Sequence, residues 1–261
     1  MRLSNPEYVR VGGYARRDQN VVDAMVSGID LQMPADFPHR TYMAVEARIS
    51  KYLAGRDAGQ VAGFSGYAGG WNGLAIRFRA ADEYGAVAVH LLTTLPGGPA
   101  NEDRYAQERA LFGFFTNAVA TIDSCCFAIY HMGLMAQPRF FGKSDDEVTV
   151  KATATAVRNA FPATRLDEVL AALKSDKAWS DLRDMRNILV HRESPARTIF
   201  ARVVVGGAAG TTDHVAPPAE WTGRGIALDR SLVEPRRVWL GQTIERFIGA
   251  TDDFVSRELP A

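Results

Sequence analysis

The chain has 261 residues, 47% of them hydrophobic, which supplies a sizeable core and excludes a disordered chain. Lys plus Arg and Asp plus Glu number 30 each, so no global field gathers nucleic acid, and such a role needs a local basic patch. The only cysteines, Cys125 and Cys126, are adjacent in an apolar run; they read as buried thiols suited to a reducing cytoplasm, and no CxxC or CxxH spacing points to zinc.

Residues 1–20 are polar and turn-rich and lack an apolar h-region, so no secretory signal is expected. "NVVDAMVSGIDLQM" reads as a short helix. "DFPHRTYMAVEARISKYLAG" reads as a better one, with Met43, Ala47 and Tyr52 on one side and Gly55 as its stop. "GRDAGQVAGFSGYAGGWNG" is glycine-rich and is expected to be loop; its glycines follow neither GxxxxGK nor GxGxxG, so it offers no phosphate cradle, and no cofactor is expected. In "WNGLAIRFRAADEYGAVAVHLLTTL" the alternation of Leu74, Ile76 and Phe78 with Val87, Val89 and Leu91 fits a hairpin turning at "DEYG". Leu74, Phe78, Ala81 and Ala88 also form a helical stripe, and the alanines favour that reading.

Residues 102–134 predict one long helix, acidic at its start through Glu102 and Asp103, with Gly133 near its end. Residues 111–136 hold no Lys or Arg and are long enough to span a bilayer. Asn117, Asp123 and His131 lie in that stretch, and a central Asp alone costs about 2.5–3.5 kcal/mol in a membrane, so a buried bundle helix is expected. If Asp123 is buried it must find a partner, either a structural hydrogen bond or a neighbouring site; His131 reads as a core or capping histidine. Ser144 and Glu147 form a capping box before "DDEVTVKATATAVRNAF", which Phe161-Pro162 ends, and Thr164 opens "RLDEVLAALKSD". "KAWSDLRDMRNILVHR" carries Trp179, Leu182, Met185 and Leu189 as a buried stripe, with Pro195 beyond it.

"TIFARVVV" is β-branched and predicts a strand or small hairpin in an insertion near 196–232. The chain closes on an amphipathic helix with Val238, Leu240, Ile244, Phe247, Ile248 and Phe254 inward. Trp71, Trp179, Trp221 and Trp239 are scattered and read as core anchors rather than a stacking platform. The whole predicts a mainly α, up-and-down helical bundle at 99–261, with a mostly helical N-terminal extension at 1–98 packed on it.

"DMRNILVHRESP" places Arg186, Asn187 and His191 beside Ile188, Leu189 and Val190, an aliphatic trio expected to anchor the helix. Asn187 and His191 share a helical face, but Arg186 and His191 are five apart, about 140° around the axis, so one regular helix cannot aim both at one substrate. As a plain helix C-terminus the motif needs no function, since basic residues suit the macrodipole there. A metal site finds no second His or clustered carboxylate at ligand spacing, so none is expected. A composite site is the third reading: two such helix ends facing across a two-fold axis bring the divergent groups together. Imidazole and guanidinium are then the groups that metal-free RNA cleavage needs. Arg183 and Arg192 flank the motif as candidate nucleic-acid contacts, or as surface charges neutralised by Asp184 and Glu193.

"RNILVH", Arg186 to His191, resembles the Arg-(polar)-x3-His signature of HEPN domains, helical bundles of prokaryotic defence and toxin–antitoxin systems. The motif covers about a dozen residues, and the architectural likeness covers about 100–261. The resemblance implies a homodimer with paired motifs at its interface, often with metal-independent endoribonuclease activity and an antitoxin protein as partner. It makes His191 the acid/base, Arg186 the phosphate or transition-state stabiliser, and Asn187 the residue orienting one of them. Some members keep the fold as non-catalytic RNA- or protein-binding dimers.

Overall fold

The computed structural model describes residues 32–95, 101–191, 196–198, 220–223, 226–227 and 229–260, with side chains described through Val190 and again from Asp229. The described residues form seven α-helices: α1 His39–Leu53, α2 Phe64–Thr94, α3 Asn101–Ala136, α4 Val150–Ala160, α5 Arg165–Lys174, α6 Lys177–His191 and α7 Arg230–Glu258. Three short strands, β1 Ala196–Thr198, β2 Glu220–Gly223 and β3 Ile226–Ala227, pair antiparallel in the order β1-β2-β3. Of the strand expected at "TIFARVVV", only Thr198 lies in a described strand, and most of the short helix expected at 20–33 lies outside the described residues.

One buried cluster draws on all seven helices, from Phe37 to Leu259, and crosses the expected 98/99 boundary. Its axis is the antiparallel pair α2 and α3. From Phe64 on, the glycine-rich segment forms the first turns of α2, correcting the loop expectation there, while residues 55–63 remain turn and a short 3-10 stretch. Gly63, at φ +92, makes the left-handed entry, and Gly66, Gly70 and Gly73 follow at spacings of four and three along the face turned to α3. A Cβ on Gly70 would lie 2.8 Å from the Ala128 nitrogen and 3.0 Å from the Ser124 carbonyl oxygen, and one on Gly66 would enter the His131 ring. Close backbone approach offsets the low helix propensity of these glycines, because dense packing returns dispersion energy along the contact. Leu74, Phe78, Ala81 and Ala88 are all buried on the helical stripe, so the helix rather than the hairpin forms.

α3 is long and apolar enough to cross a membrane by length and composition, and 67% of its most apolar stretch is buried inside the fold. Cys125 and Cys126 are free and fully within it, and burial pushes the Cys125 thiol up to about 12. The Ser144–Glu147 box forms but caps a 3-10 turn, Asp145–Glu147; α4 starts later under Thr149, whose hydroxyl accepts the Ala152 N–H at 3.2 Å. α5 begins at its expected cap, Thr164, which accepts from the Asp167 N–H at 3.3 Å. α7 buries Leu240, Ile244, Phe247, Ile248 and Phe254, whereas Val238 is 55% exposed, being two residues and about 200° from Leu240.

α1 is also rotated from its expected face. Tyr42, Val45, Glu46, Ile49 and Leu53 are buried, while Met43 and Ala47 are exposed, because the Tyr42–Leu53 stripe carries more apolar surface. That rotation takes Glu46 inside, where its Oε2 has no hydrogen-bond partner among the described residues. Burial pushes its carboxyl up to about 7, with the Tyr42 hydroxyl pulling the other way. Tyr42 donates to the Trp71 carbonyl at 3.1 Å, so a protonated Glu46 can itself donate to the Tyr42 oxygen and complete a chain. The folded chain thus holds a proton that the unfolded chain releases between pH 4.5 and about 7. This contribution to stability is present in full below pH 4.5 and is lost as the pH rises to 7. Glu46→Gln keeps the donor without the charge. Its melting temperature is expected to match the wild type at pH 4 and exceed it at pH 8, by about 1–3 kcal/mol of stability. Equal gains at both pH values, or none, count against a protonated Glu46.

Candidate functional site

α6 is held from two sides. Asp176, just before it, accepts the Trp239 indole N–H at 2.9 Å, and Asp181 accepts from Arg236 at 2.7 Å and from Lys177 at 2.8 Å, which fixes α6 against the start of α7. Trp179, Leu182, Met185 and Ile188 are buried beneath it. Of the aliphatic trio, only Ile188 is core: Leu189 is half-buried and Val190 is 39% exposed. The helix is therefore anchored by the Trp179–Ile188 stripe, and Val190 belongs to its outer surface.

This packing leaves Arg186 and Asn187 half-buried and Arg183 exposed, with the Arg183 guanidinium 5.7 Å over the Trp179 ring. The Arg186 Nε, like those of Arg236 and Arg237, is closed off from solvent and has no hydrogen-bond partner among the described residues, a cost of about 1–3 kcal/mol. His191 is the last residue of α6, and Arg192 lies outside the described residues.

The structure brings Asp123 of α3 to this helix. Burial raises its carboxyl above the ordinary value, and the guanidiniums of Arg186, Arg183 and Arg77, in falling order, pull it down without cancelling the rise. Asp123 is itself solvent-exposed on a groove of about 360 Å³ between α2 and α3, with Gly69, Gly70, Arg77, Ser124 and Phe127 also lining it. Arg77 reaches back across Gly73 to donate to the Ser124 hydroxyl, and the side chain Gly73 lacks would have stood in that path. Asp123 thus has charged company that its position in the sequence did not disclose.

Arg77 and Phe127 escaped the sequence reading, which placed the segment just before Arg77 in a loop. The signal was there. Small residues at 63, 66, 70 and 73 keep a three-four spacing, which a loop does not need and two closely packed helices do.

His131 is a core histidine, 6% exposed, under the Gly66 backbone and 4.4 Å from the Phe127 ring. Burial lowers its pKa, and Asp145, with an oxygen 3.3 Å from Nε2, pulls it up. Trp71 and Trp179 are buried, and Trp239 is half-buried. Among the described residues no group of three or more His, Cys, Asp and Glu side chains is placed to hold a metal ion. Compared with family models, curated proteins and solved structures, the chain matches none.

Proposed function

We propose that this chain is a HEPN-like helical protein that acts as a homodimer and cuts single-stranded RNA without a metal. The reading rests on the Arg186-Asn187-x3-His191 spacing at the end of a late bundle helix. One observation supports it beyond the sequence: Arg186 and Arg183 of this helix both act on the single carboxylate of Asp123, so the helix end carries surplus positive charge suited to a phosphate.

In this scheme a ribose 2′-oxygen attacks the adjacent phosphorus while a base takes its proton, and the bond from phosphorus to the 5′-oxygen breaks as an acid protonates that oxygen. In each of the dimer's two pockets the His191 imidazole of one copy takes the 2′ proton and returns a proton to the 5′-oxygen, and the Arg186 fork of the other copy binds the charge that grows on the non-bridging oxygens. Asn187 orients one of these groups, and Arg183 and Arg192 contact the strand. The adjacent buried thiols of α3 suit a reducing cytoplasm, and an antitoxin protein in a toxin–antitoxin or defence system is the partner that fits such an activity.

Purified chain incubated with single-stranded RNA in EDTA is expected to leave 2′,3′-cyclic phosphate and 5′-hydroxyl ends. Binding without cutting supports the second reading, a non-catalytic RNA-binding dimer, which the neutral net charge also fits. Neither binding nor cutting removes both RNA readings.

A further inference from the structure

The α2–α3 groove combines three features that the motif on α6 lacks. It holds a cation, Arg77, beside Asp123, and the field of Arg186 and Arg183 from α6 also acts on that carboxylate, so its charge does not neutralise Arg77 alone. Arg77 commits only its Nη1 to a hydrogen bond among the described residues, so its other N–H groups remain for a ligand. One wall is aromatic and half-open, formed by Phe127, which is braced 4.4 Å from the buried His131 ring. The opposite wall is bare backbone, because a Cβ on Gly69 would meet nothing within 4 Å and Gly70 presses on α3.

A volume of about 360 Å³ lies at the small end of ligand sites, roughly 300–1,000 Å³, and holds about one nucleotide. A second cationic groove, about 280 Å³ between α4 and α5, makes the comparison. Lys151, Arg158 and Lys174 line it, but Arg158 is held by Asp167 at 3.0 Å and no aromatic residue lines it. It can attract phosphate and cannot seat a base.

We infer that the α2–α3 groove is a single-nucleotide subsite, with Arg77 contacting a phosphate and Phe127 stacking against the base. This rests on the RNA reading above and adds a binding residue from α2, outside the bundle segment that carries the motif.

The probe is a short fluorescent 2′-O-methyl oligoribonucleotide, which lacks the attacking hydroxyl and cannot be cut, titrated with full-length chain and followed by anisotropy at several salt concentrations. Arg77→Ala is expected to weaken binding about 5–30-fold and lower the salt slope by about one. Phe127→Leu is expected to weaken it about 5–20-fold, and Phe127→Tyr to keep wild-type affinity. Against an oligomer abasic throughout, Phe127→Leu should bind as the wild type does, because no base is left to stack. Lys151→Ala and Lys174→Ala should change little, and thermal melts show whether each variant is folded.

A wild type that binds but is insensitive to both Arg77→Ala and Phe127→Leu overturns this inference and leaves the RNA reading standing. A wild type that binds no oligomer overturns both. Displacement of the oligomer by an equal concentration of an oligoglutamate peptide would mark the groove as a surface for acidic protein segments, and also overturns it.

Discussion

His191→Ala is expected to reduce RNA cutting by about 10²–10⁴-fold, the usual contribution of a positioned acid or base, with little change in melting temperature. His191 closes α6, at the end that in the proposed dimer meets the second copy. Arg186→Lys should lose nearly as much, because a lysine keeps the charge but not the planar fork. The decisive arm mixes two inactive chains. If each pocket takes Arg186 from one copy and His191 from the other, a dimer of Arg186→Ala with His191→Ala carries one intact pocket. An equal mixture then recovers about a quarter of wild-type activity, since half the dimers are mixed and each has one working pocket of two. No recovery, with dimers demonstrably exchanging, rules out the shared pocket.

The second large effect concerns the fold. Gly70→Val is expected to cost about 3–5 kcal/mol, at or above the usual range for overpacking. The added carbon meets two backbone atoms of α3, at 2.8 and 3.0 Å, and backbone in the middle of a 36-residue helix cannot rotate out of the way as a side chain does. A gain in helix propensity of well under 1 kcal/mol does not offset this. The melting temperature should fall by about 6–20 °C for a chain of this size. Gly69→Ala is the control: with open space around its Cβ it should gain about 0.5–1 kcal/mol. If the two variants melt alike, the close approach of α2 to α3 is wrong.

The helical architecture was legible because its strongest elements obey one rule. α3 declares itself through length and apolar content, α4 through its Phe161-Pro162 stop, α5 through Thr164 at its start, and α6 through the Trp179-Leu182-Met185 stripe. The glycine segment misled because propensity and packing disagree there: glycine is a poor helix former alone and a good one where a second helix must come close. The α1 face was misread for a related reason. A glutamate at position 46 argues for solvent, yet the larger apolar stripe beside it decides the rotation and takes the acid inside, where burial favours its neutral form.

The candidate site was half legible. Arg186, Asn187 and His191 are contiguous and carry their own signature, whereas Asp123 and Arg77 reach them from helices 63 and 109 residues away, a distance only the folded chain closes. Spacing along one helix can nominate residues that share a face, but it holds no information on what a second helix brings opposite.

Arg77, Asp123 and Phe127 all belong to one polypeptide, so the groove is complete in a solitary subunit. On the proposed reading, capture and scission then follow different rate laws: holding a strand scales with the first power of protein concentration, and breaking it with the second. At low abundance such a molecule shelters the RNA it grips, and accumulation alone converts guardian into nuclease.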